Sequence, residues 1–552
     1  MLNGIIFKQA LISGANNIVN HRQEVDALNV FPVPDGDTGT NMSMTISAAA
    51  RELQVCEQTD IASVSAKAAA ALLRGARGNS GVILSLIFRG ISNGFKGMDS
   101  ADGKALAKAL ELGKESAYKA VMKPTEGTIL TVIRMAAEAV KNTQETDCKA
   151  VLKTAYEAAK DALLKTPEML PVLKQAGVVD AGGQGFIFIL EGMLSVIEDG
   201  KTVEPIETLD KKDNAKSDKS VVAAASGDIK FGYCSEFLIN KEKDAQSNAA
   251  ALKAYLESIG DCVVVVEDDD IIKVHVHSNE PGNVIQAALK CGPLTNIKID
   301  NMRFQHRNAD RGTENAKEEI KPSEQAQAPV EPTKDYGFVS VAAGDGFIEL
   351  FKELGADNIV SGGQTMNPST DDILSAIEAT PARHVFVLPN NKNIIMAAEQ
   401  TVNLADREVS VLQTKTLTQG VSAMLNFSET EDVETNLLNM MKAAEAVHTA
   451  QVTFAARDSE VFGQKIKKGQ ILGMEDGKIT LVEDDIVNAA YRTARRLAKK
   501  YNASFITVYY GEETDEVMAN LLSERLSERF PNIEINVIPG GQPVYYFIIS
   551  VE

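Results

Sequence analysis

The chain has 552 residues, 44% of them hydrophobic, so it is long enough for several domains with buried cores. Its net charge of −20 excludes the basic surface typical of nucleic-acid-binding proteins and a polybasic membrane patch. Five scattered cysteines favour reduced thiols over a disulfide framework. No window approaches a transmembrane span and no signal pattern opens the chain, so we expect a cytoplasmic protein.

The first part of the chain, residues 1–200, is predicted to be helical throughout, because apolar residues recur at helical spacing and strand-like alternation is absent. The predicted helices cover residues 5–21, 43–50, 66–74, 105–121, 128–140, 150–164 and 185–197. An all-α domain follows from this pattern.

The turn Asn29–Met42, with the sequence NVFPVPDGDTGTNM, places Asp35 and Asp37 on either side of a glycine. A helix is predicted to start just after them, and the N–H groups of a helix N-terminus favour phosphate. Two acids would repel phosphate unless a cation lies between, and Mg²⁺ takes one or two carboxylates plus substrate phosphates. The third Mg²⁺ ligand is left open between Asp26 and Asn29. The alternative is an Asx-rich turn that only caps a helix.

Three further glycine-containing turns, residues 74–81, 123–128 and 177–185, interrupt the helices. Each supplies residues suited to a phosphate-facing helix start, and Asn79 or Ser80 is well placed as an N-cap. Arg77 would lie near the phosphate charge. Ordinary helix–helix turns are the alternative interpretation.

These four turns, in this order, resemble the nucleotide-site loops of the dihydroxyacetone kinase L-domain family. The resemblance implies a barrel of antiparallel helices that binds ATP at one end, with two Mg²⁺ ions held by aspartates. It makes Asp35, Asp37 and Arg77 the candidate catalytic residues. The candidate ATP-binding residues are Asp35, Asp37, Thr38, Thr40, Asn41, Asn79, Ser80, Gly81, Thr128, Asp180 and Gly182.

A polar linker, residues 201–226, is predicted to lead into a small α/β domain at residues 227–312. Its predicted strands cover 229–238, 263–267 and 271–277, and its helix covers 245–258. His275 and His277 leave the same face of their strand, and Cys234 on another strand completes a reasonable zinc set. A surface pair of histidines without a metal is the alternative. The domain resembles the middle domain of the ATP-binding component of bacterial fatty acid kinases, which implies zinc bound by Cys234, His275 and His277.

After a second linker at residues 313–334, the pattern changes to alternating strands and helices over residues 335–552. A mainly parallel, doubly wound sheet is predicted. The last hundred residues mix strands with helices and are interpreted as a second half of the same region. The loops Gly362–Ser369 and Pro389–Asn393 follow strands, where open α/β sheets bind ligands. This region resembles the DegV-like fold of lipid-binding proteins, and the two loops match those of the fatty acid kinases.

The resemblance therefore implies the catalytic component of a fatty acid kinase that uses ATP, Mg²⁺ and Zn²⁺. Its acceptor would be the carboxylate of a fatty acid held by a separate acyl-binding protein of the DegV family, and we expect a homodimer. The alternatives are a dihydroxyacetone or sugar kinase and a non-enzymatic lipid-binding or regulatory protein. The DegV-like region is expected to dock the acyl-binding partner rather than hold the acyl chain. A chain that ends near Lys334 is expected to bind ATP but to leave the fatty acid unphosphorylated.

Overall fold

The computed structural model describes residues 1–29, 36–121, 123–205, 233–241, 249–267, 271–301, 330–363, 366–461 and 464–552. The chain divides into two compact units. One combines Met1–Lys211 with Gln325–Glu552, and the other is Lys212–Glu324. The N-terminal and C-terminal domains predicted from the sequence thus belong to a single unit.

The N-terminal domain is helical, as predicted. Its helices are α1 (Gly4–Asn20), α2 (Arg22–Ala27), α3 (Thr38–Gln54), α4 (Ile61–Arg74), α5 (Gly78–Gly94), α6 (Gly103–Ala120), α7 (Ile129–Val140), α8 (Cys148–Leu164), α9 (Thr166–Met169), α10 (Pro171–Ala176) and α11 (Ala181–Asp199). Two short strands that the sequence did not predict, β1 (Leu2–Asn3) and β2 (Ser100–Ala101), pair antiparallel.

Helix α11 packs against α1 and α8, and also contacts α3 and α7. It is long and apolar enough by composition to span a bilayer, contrary to the expectation that no such window exists, but 72% of the apolar window is buried inside the protein. Phe186 and Ile189 are fully buried in the core that α11 shares with the surrounding helices. Its apolar character is therefore explained by packing.

The second unit contains a four-stranded antiparallel sheet in the order β4-β5-β3-β6. The strands are β3 (Tyr233–Asn240), β4 (Gly260–Glu267), β5 (Ile271–Ser278) and β6 (Leu294–Asn301), and the helices are α12 (Ala249–Ile259) and α13 (Pro281–Ala288). The small α/β fold was predicted, whereas β6 and α13 were not.

The C-terminal domain begins with a four-stranded parallel sheet in the order β10-β9-β7-β8. Its strands are β7 (Lys334–Ala342), β8 (Asn358–Ser361), β9 (Ala382–Leu388) and β10 (Glu408–Val411). The accompanying helices are α14 (Asp345–Glu353), α15 (Thr370–Glu378), α16 (Ile395–Thr401), α17 (Leu417–Leu425) and α18 (Val433–Ala446).

The rest of the domain forms a separate six-stranded sheet, so the last hundred residues, predicted to be a second half of the same region, do not extend the parallel sheet. The order is β15-β14-β11-β18-β16-β17, and only β16 and β17 pair in parallel. Antiparallel pairing arises because β14 and β15 are joined by a tight turn at Asp476 and Gly477, both with positive φ. The elements are β11 (His448–Phe454), β14 (Ile471–Glu475), β15 (Lys478–Glu483), α19 (Ile486–Tyr501), β16 (Phe505–Tyr510), α20 (Glu516–Arg529), β17 (Glu534–Pro539) and β18 (Phe547–Val551), with a small hairpin of β12 (Ser459–Val461) and β13 (Gln464–Ile466).

Helix α5 joins the N-terminal and C-terminal domains through a shared apolar core. One face of α5 packs into the helical barrel through residues such as Leu84, whereas Val82 and Leu86 belong to a core formed with the parallel sheet and helices α15 and α16. Val82 and Leu86 are 0% and 4% exposed. Burial of such side chains stabilises an interface by about 1.5–3 kcal/mol each, so the two domains are firmly associated.

Candidate nucleotide and metal site

The first predicted loop ends at helix α3, which begins at Thr38, earlier than the predicted residue 43. Asp37 occupies the N-cap position, and its backbone carbonyl accepts a hydrogen bond from the N–H of Asn41 at 2.8 Å. Asp35 lies outside the described residues, so its place in the site stays a prediction. Thr38, Thr40 and Asn41 all fall in the first helical turn.

Asp26 and Asn29, the candidates for a third Mg²⁺ ligand, both support this first turn. The Asp26 carboxylate accepts hydrogen bonds from the Thr40 N–H at 3.0 Å and from the Thr40 hydroxyl at 2.8 Å. The side-chain amide of Asn29 lies 3.0 Å from the Thr38 hydroxyl. In the amide orientation that satisfies all its hydrogen bonds, the Asn29 side-chain oxygen accepts from the N–H groups of Asp37 and Thr38. In this structure both residues position the start of α3.

Helix α5 supplies the second N-terminus of the site. It begins at Gly78 with Arg77 in the N-cap position, so the prediction that Asn79 or Ser80 is the cap is wrong: both lie inside the first turn. Gly78 has a φ of +58°, and a Cβ at this position would lie 2.6 Å from Asn41 Nδ2. The first turns of α3 and α5 therefore approach each other more closely than any side chain at position 78 would allow.

Helices α7 and α11 supply two more N-termini. Thr128 caps α7, as predicted, and its hydroxyl accepts from the N–H of Leu130 at 3.3 Å. Asp180 caps α11 and accepts from the N–H of Gly183 at 2.7 Å. Burial raises the pKa of Asp180 to about 6, although hydrogen bonds from the backbone N–H groups of Gly183 and Ile129 act in the opposite direction. The carboxyl group thus joins the starts of α7 and α11.

The four helix N-termini lie at the same end of the barrel. A Cβ on Gly185, in the second turn of α11, would lie 2.8 Å from the sulfur of Met42 in α3, and one on Gly182 would lie 3.4 Å from Ile129 Cβ in α7. Helix α3 thus contacts both α5 and α11, and α11 contacts α7. The structure gathers the predicted ATP-binding residues that it describes at these first turns: Asp37, Thr38, Thr40, Asn41, Asn79, Ser80, Gly81, Thr128, Asp180 and Gly182.

This end of the barrel has the chemistry that phosphate and Mg²⁺ require. First-turn N–H groups and helix dipoles attract phosphate oxygens. The buried Oδ1 of Asn79 has no hydrogen-bond partner, as expected at a site that awaits a polar ligand. Among the residues that the structure describes, which exclude Asp35, no three His, Cys, Asp or Glu side chains are grouped so that they could hold a metal ion. A site of one or two aspartates completed by phosphates fits that finding.

The C-terminal domain forms one wall of the site, which the sequence did not predict. Asn367, in the loop between β8 and α15, donates a hydrogen bond from Nδ2 to Asp37 Oδ2 at 2.6 Å. Its backbone carbonyl accepts from Arg77 Nη1 at 2.8 Å, and Arg77 Nη2 lies 3.2 Å from Asp372 Oδ2. The guanidinium of Arg77, predicted to face phosphate, has these C-terminal partners here, and its catalytic role stays a prediction.

A cleft of about 500 Å³ lies at the carboxyl ends of the parallel strands, where the sequence predicted a ligand site. Amide side chains line it, as the loop sequences predicted, but so do apolar side chains from the second sheet and from α16 and α17. These lining residues include Asn390, Asn391, Gln451 and Gln542 on the polar side and Ile394, Leu417, Tyr545 and Ile548 on the apolar side. The cleft is thus more apolar than the two loops alone suggest.

The candidate zinc residues lie on paired strands of the second unit. The register of β3 and β5 places Cys234 opposite His277 and Glu236 opposite His275. Val274 and Val276 are fully buried, so His275 and His277 occupy the alternate positions of β5. The side chains of Cys234 and His275 lie outside the described part of the chain, and the zinc site stays a prediction.

Three domain models match the chain in order. A DAK2 domain matches residues 32–195, the middle domain of FakA-like fatty acid kinase proteins matches 230–309, and the C-terminal domain of the same FakA-like proteins matches 337–552. A solved structure of a DegV family protein from Thermus thermophilus, described as fatty-acid-binding, is similar to 40% of this chain and 99% of its own length, with a TM-score of 0.30 and 15% identity.

Full-length relatives are also found. Protein YloV of Bacillus subtilis is 40% identical over 100% of this chain and 99% of its own length, and an uncharacterized protein of Staphylococcus epidermidis is 37% identical over the same shares. The helical DAK2 region and the α/β C-terminal region agree with the order of elements in the structure. The chain therefore belongs to the FakA-like family of fatty acid kinase proteins.

Proposed function

We propose that this chain is the ATP-dependent catalytic component of a fatty acid kinase, which phosphorylates the carboxylate of a fatty acid presented by a separate acyl-binding protein of the DegV family. The observation that carries the proposal is the convergence of four helix N-termini beside Asp37, at one end of a domain that matches a kinase-related family. The family match makes a fatty acid the favoured acceptor.

The reaction suits the residues at this end of the barrel. A fatty acid carboxyl group has a pKa of about 4–5 and is ionised at neutral pH, so its oxygen attacks the γ-phosphorus without a general base. The bond between that phosphorus and the leaving oxygen of ADP breaks, and the products are an acyl phosphate and ADP. Catalysis then depends on positioning and on charge stabilisation.

The chain's own residues would divide this work. Asp37, together with Asp35, would hold Mg²⁺, which neutralises phosphate charge when bound. The first-turn N–H groups of α3 and α5 would receive phosphate oxygens, with Thr38, Thr40, Asn41, Asn79, Ser80 and Gly81 as their neighbours. Thr128 and Gly182 would complete the opposite side of the site.

The zinc site belongs to the same proposal. Cys234, His275 and His277 would hold one Zn²⁺ and leave a fourth position open. Its support is the strand register, which pairs Cys234 with His277 on neighbouring strands. The expected homodimer and the expected cytoplasmic location also remain predictions, and light scattering of the purified chain is the first test of the dimer.

The test uses purified full-length chain with radiolabelled ATP, Mg²⁺ and fatty acid, with and without a purified DegV-family acyl-binding protein. We expect labelled acyl phosphate only when that protein is present. Phosphorylation of dihydroxyacetone instead would favour the sugar-kinase alternative. Tight stoichiometric binding of labelled fatty acid to the chain itself, without phosphorylation, would favour a lipid-binding protein.

A further inference from the structure

Asn367 is held firmly against the proposed metal ligand Asp37, although 330 residues separate the two in the chain. The side chain of Asn367 is 1% exposed. Its Nδ2 donates to Asp37 Oδ2 at 2.6 Å, and its Oδ1 has no hydrogen-bond partner. The buried side-chain amide of Asn367 thus donates to the Asp37 carboxylate, and this hydrogen bond is shorter than most hydrogen bonds between neutral groups.

The loop around Asn367 is also held by contacts other than the one with Asp37. Ser369 and Asp372 form a capping box at the start of α15. The N–H of Thr370 donates to the carbonyl of Ala76 at 3.0 Å, directly before Arg77. The guanidinium of Arg77 then binds both the Asn367 carbonyl and Asp372. The loop is therefore built into the nucleotide end of the barrel.

We propose that Asn367 is a positioning residue that orients Asp37 for Mg²⁺, and that the C-terminal domain controls the metal affinity of the kinase domain through it. An ionised carboxylate has about four lone-pair sites. The hydrogen bond from Asn367 uses one of these sites, on Oδ2, and limits rotation of the Asp37 carboxylate. Hydrogen-bond partners of metal ligands typically account for 10–100-fold in metal affinity. The proposal rests on the Mg²⁺ site of the proposed function.

The experiment measures Mn²⁺ binding to the full-length chain by electron paramagnetic resonance, with AMP-PNP present and no acceptor. Asn367→Leu keeps the size of the side chain but removes the donor, and Asn367→Ala removes the side chain. Both are expected to weaken Mn²⁺ binding by about 10–100-fold. The control is Arg457→Ala, which removes another hydrogen bond between the domains, from Arg457 Nη1 to the carbonyl of Ala27 at 2.8 Å.

A double-mutant cycle separates positioning from general loosening of the interface. In an Asp37→Asn background, Asn367→Leu is expected to weaken Mn²⁺ binding no further, because the carboxylate that Asn367 orients is already absent. Wild-type affinity in both Asn367 variants overturns the proposal, and so does an equal loss in Arg457→Ala. Tighter Mn²⁺ binding in Asn367→Leu also overturns it, since the hydrogen bond from Asn367 to Asp37 would then compete with the metal for the carboxylate.

The readout keeps this inference distinct from the proposed acceptor. A wild-type chain that binds Mn²⁺ and AMP-PNP but phosphorylates no fatty acid contradicts the proposed function, while the loss in Asn367→Leu would still support the role of Asn367. Melting curves of each variant check that the fold is retained.

Discussion

At the scale of single residues, Asp37 connects the three parts of the site: it lies at the start of α3, beside α5 and against Asn367. We expect Asp37→Asn to reduce phosphoryl transfer by roughly 10²–10³-fold or more, because it removes a charged metal ligand at an N-cap whose side chain makes no capping hydrogen bond. Steady-state turnover at saturating Mg²⁺ measures this.

The matched control is Asp60→Asn at the N-cap of α4, where Asp60 accepts from the N–H of Ser63 at 2.7 Å. This variant has the same chemical change at the same type of position, and its turnover should match wild type. Near-normal turnover of Asp37→Asn would remove Asp37 from the metal site.

Asp180 gives a pH prediction. Its pKa is about 6 in the folded chain against 3.8 for the ordinary side chain, so folding takes up a proton in this range. Its contribution to the free energy of unfolding is therefore fully present below pH 3.8 and is lost as the pH rises through about 6. The loss amounts to about 3 kcal/mol at most.

Thermal unfolding between pH 4 and 7 tests this, with Asp180→Asn expected to show a flatter dependence than wild type. Asp60→Asn again serves as the control, because hydrogen bonds from Ser63 lower the pKa of Asp60 and place its titration below this range. Parallel curves for wild type and Asp180→Asn would contradict the prediction.

The residues of the site divide into those a sequence can indicate and those it cannot. Glycine-rich turns just before helices gave the residues at the first turns of α3, α5, α7 and α11, since caps and tight turns are local properties. The contact between Asn367 and Asp37 is not local. The loop Gly362–Ser369 was indicated as a ligand or docking loop, but only the folded chain shows that its partner is the kinase domain.

At the scale of elements, α5 shows how one helix serves two cores. Leu84 faces the barrel and Leu86 faces α15 and α16, and both are buried. We expect Leu84→Ala and Leu86→Ala each to cost about 2–5 kcal/mol. Only Leu86→Ala should increase amide hydrogen exchange in Ile395–Thr401, because that helix packs against α5 in the core to which Leu86 belongs. Equal hydrogen exchange in Leu84→Ala and Leu86→Ala would contradict the assignment of these two side chains to separate cores.

The elements themselves were predicted with uneven success. Amphipathic helices in the barrel were predicted with ends displaced by a few residues. The separate second sheet was not predicted, because short buried strands are alike in parallel and antiparallel sheets. Pairing direction depends on connections such as the turn at Asp476 and Gly477, and on long-range partners that periodicity does not reveal.

The strands β3 and β5 carry the zinc prediction. Freshly purified chain should contain about one zinc ion, and Cys234→Ala, His275→Ala or His277→Ala should each remove it. Elemental analysis by mass spectrometry measures the ratio. Cys291→Ala is the control, because Cys291 is a buried cysteine of the same unit. A wild-type chain that contains no zinc and takes up none on titration would return both histidines to the alternative of a metal-free surface pair.

At the scale of the whole molecule, the division into units changes one expectation. A chain that ends near Lys334 was expected to bind ATP, because the kinase domain was regarded as independent. In the structure the C-terminal domain covers Val82 and Leu86, and it supplies both Asn367 and the partners of Arg77. Removal of that domain exposes an apolar face and frees the nucleotide loops.

We therefore expect opposite results from two deletions. The chain ending at Lys334 should lose most of its affinity for Mn²⁺ and AMP-PNP, whereas replacement of residues 212–324 by a flexible linker should preserve it, because those residues form a separate unit. Calorimetric titration of both variants, with melting curves as a check on folding, makes the comparison. Wild-type affinity in the chain ending at Lys334 would show that the kinase domain binds the nucleotide independently of the C-terminal domain. It would also confine the C-terminal domain to the docking of the acyl-binding partner.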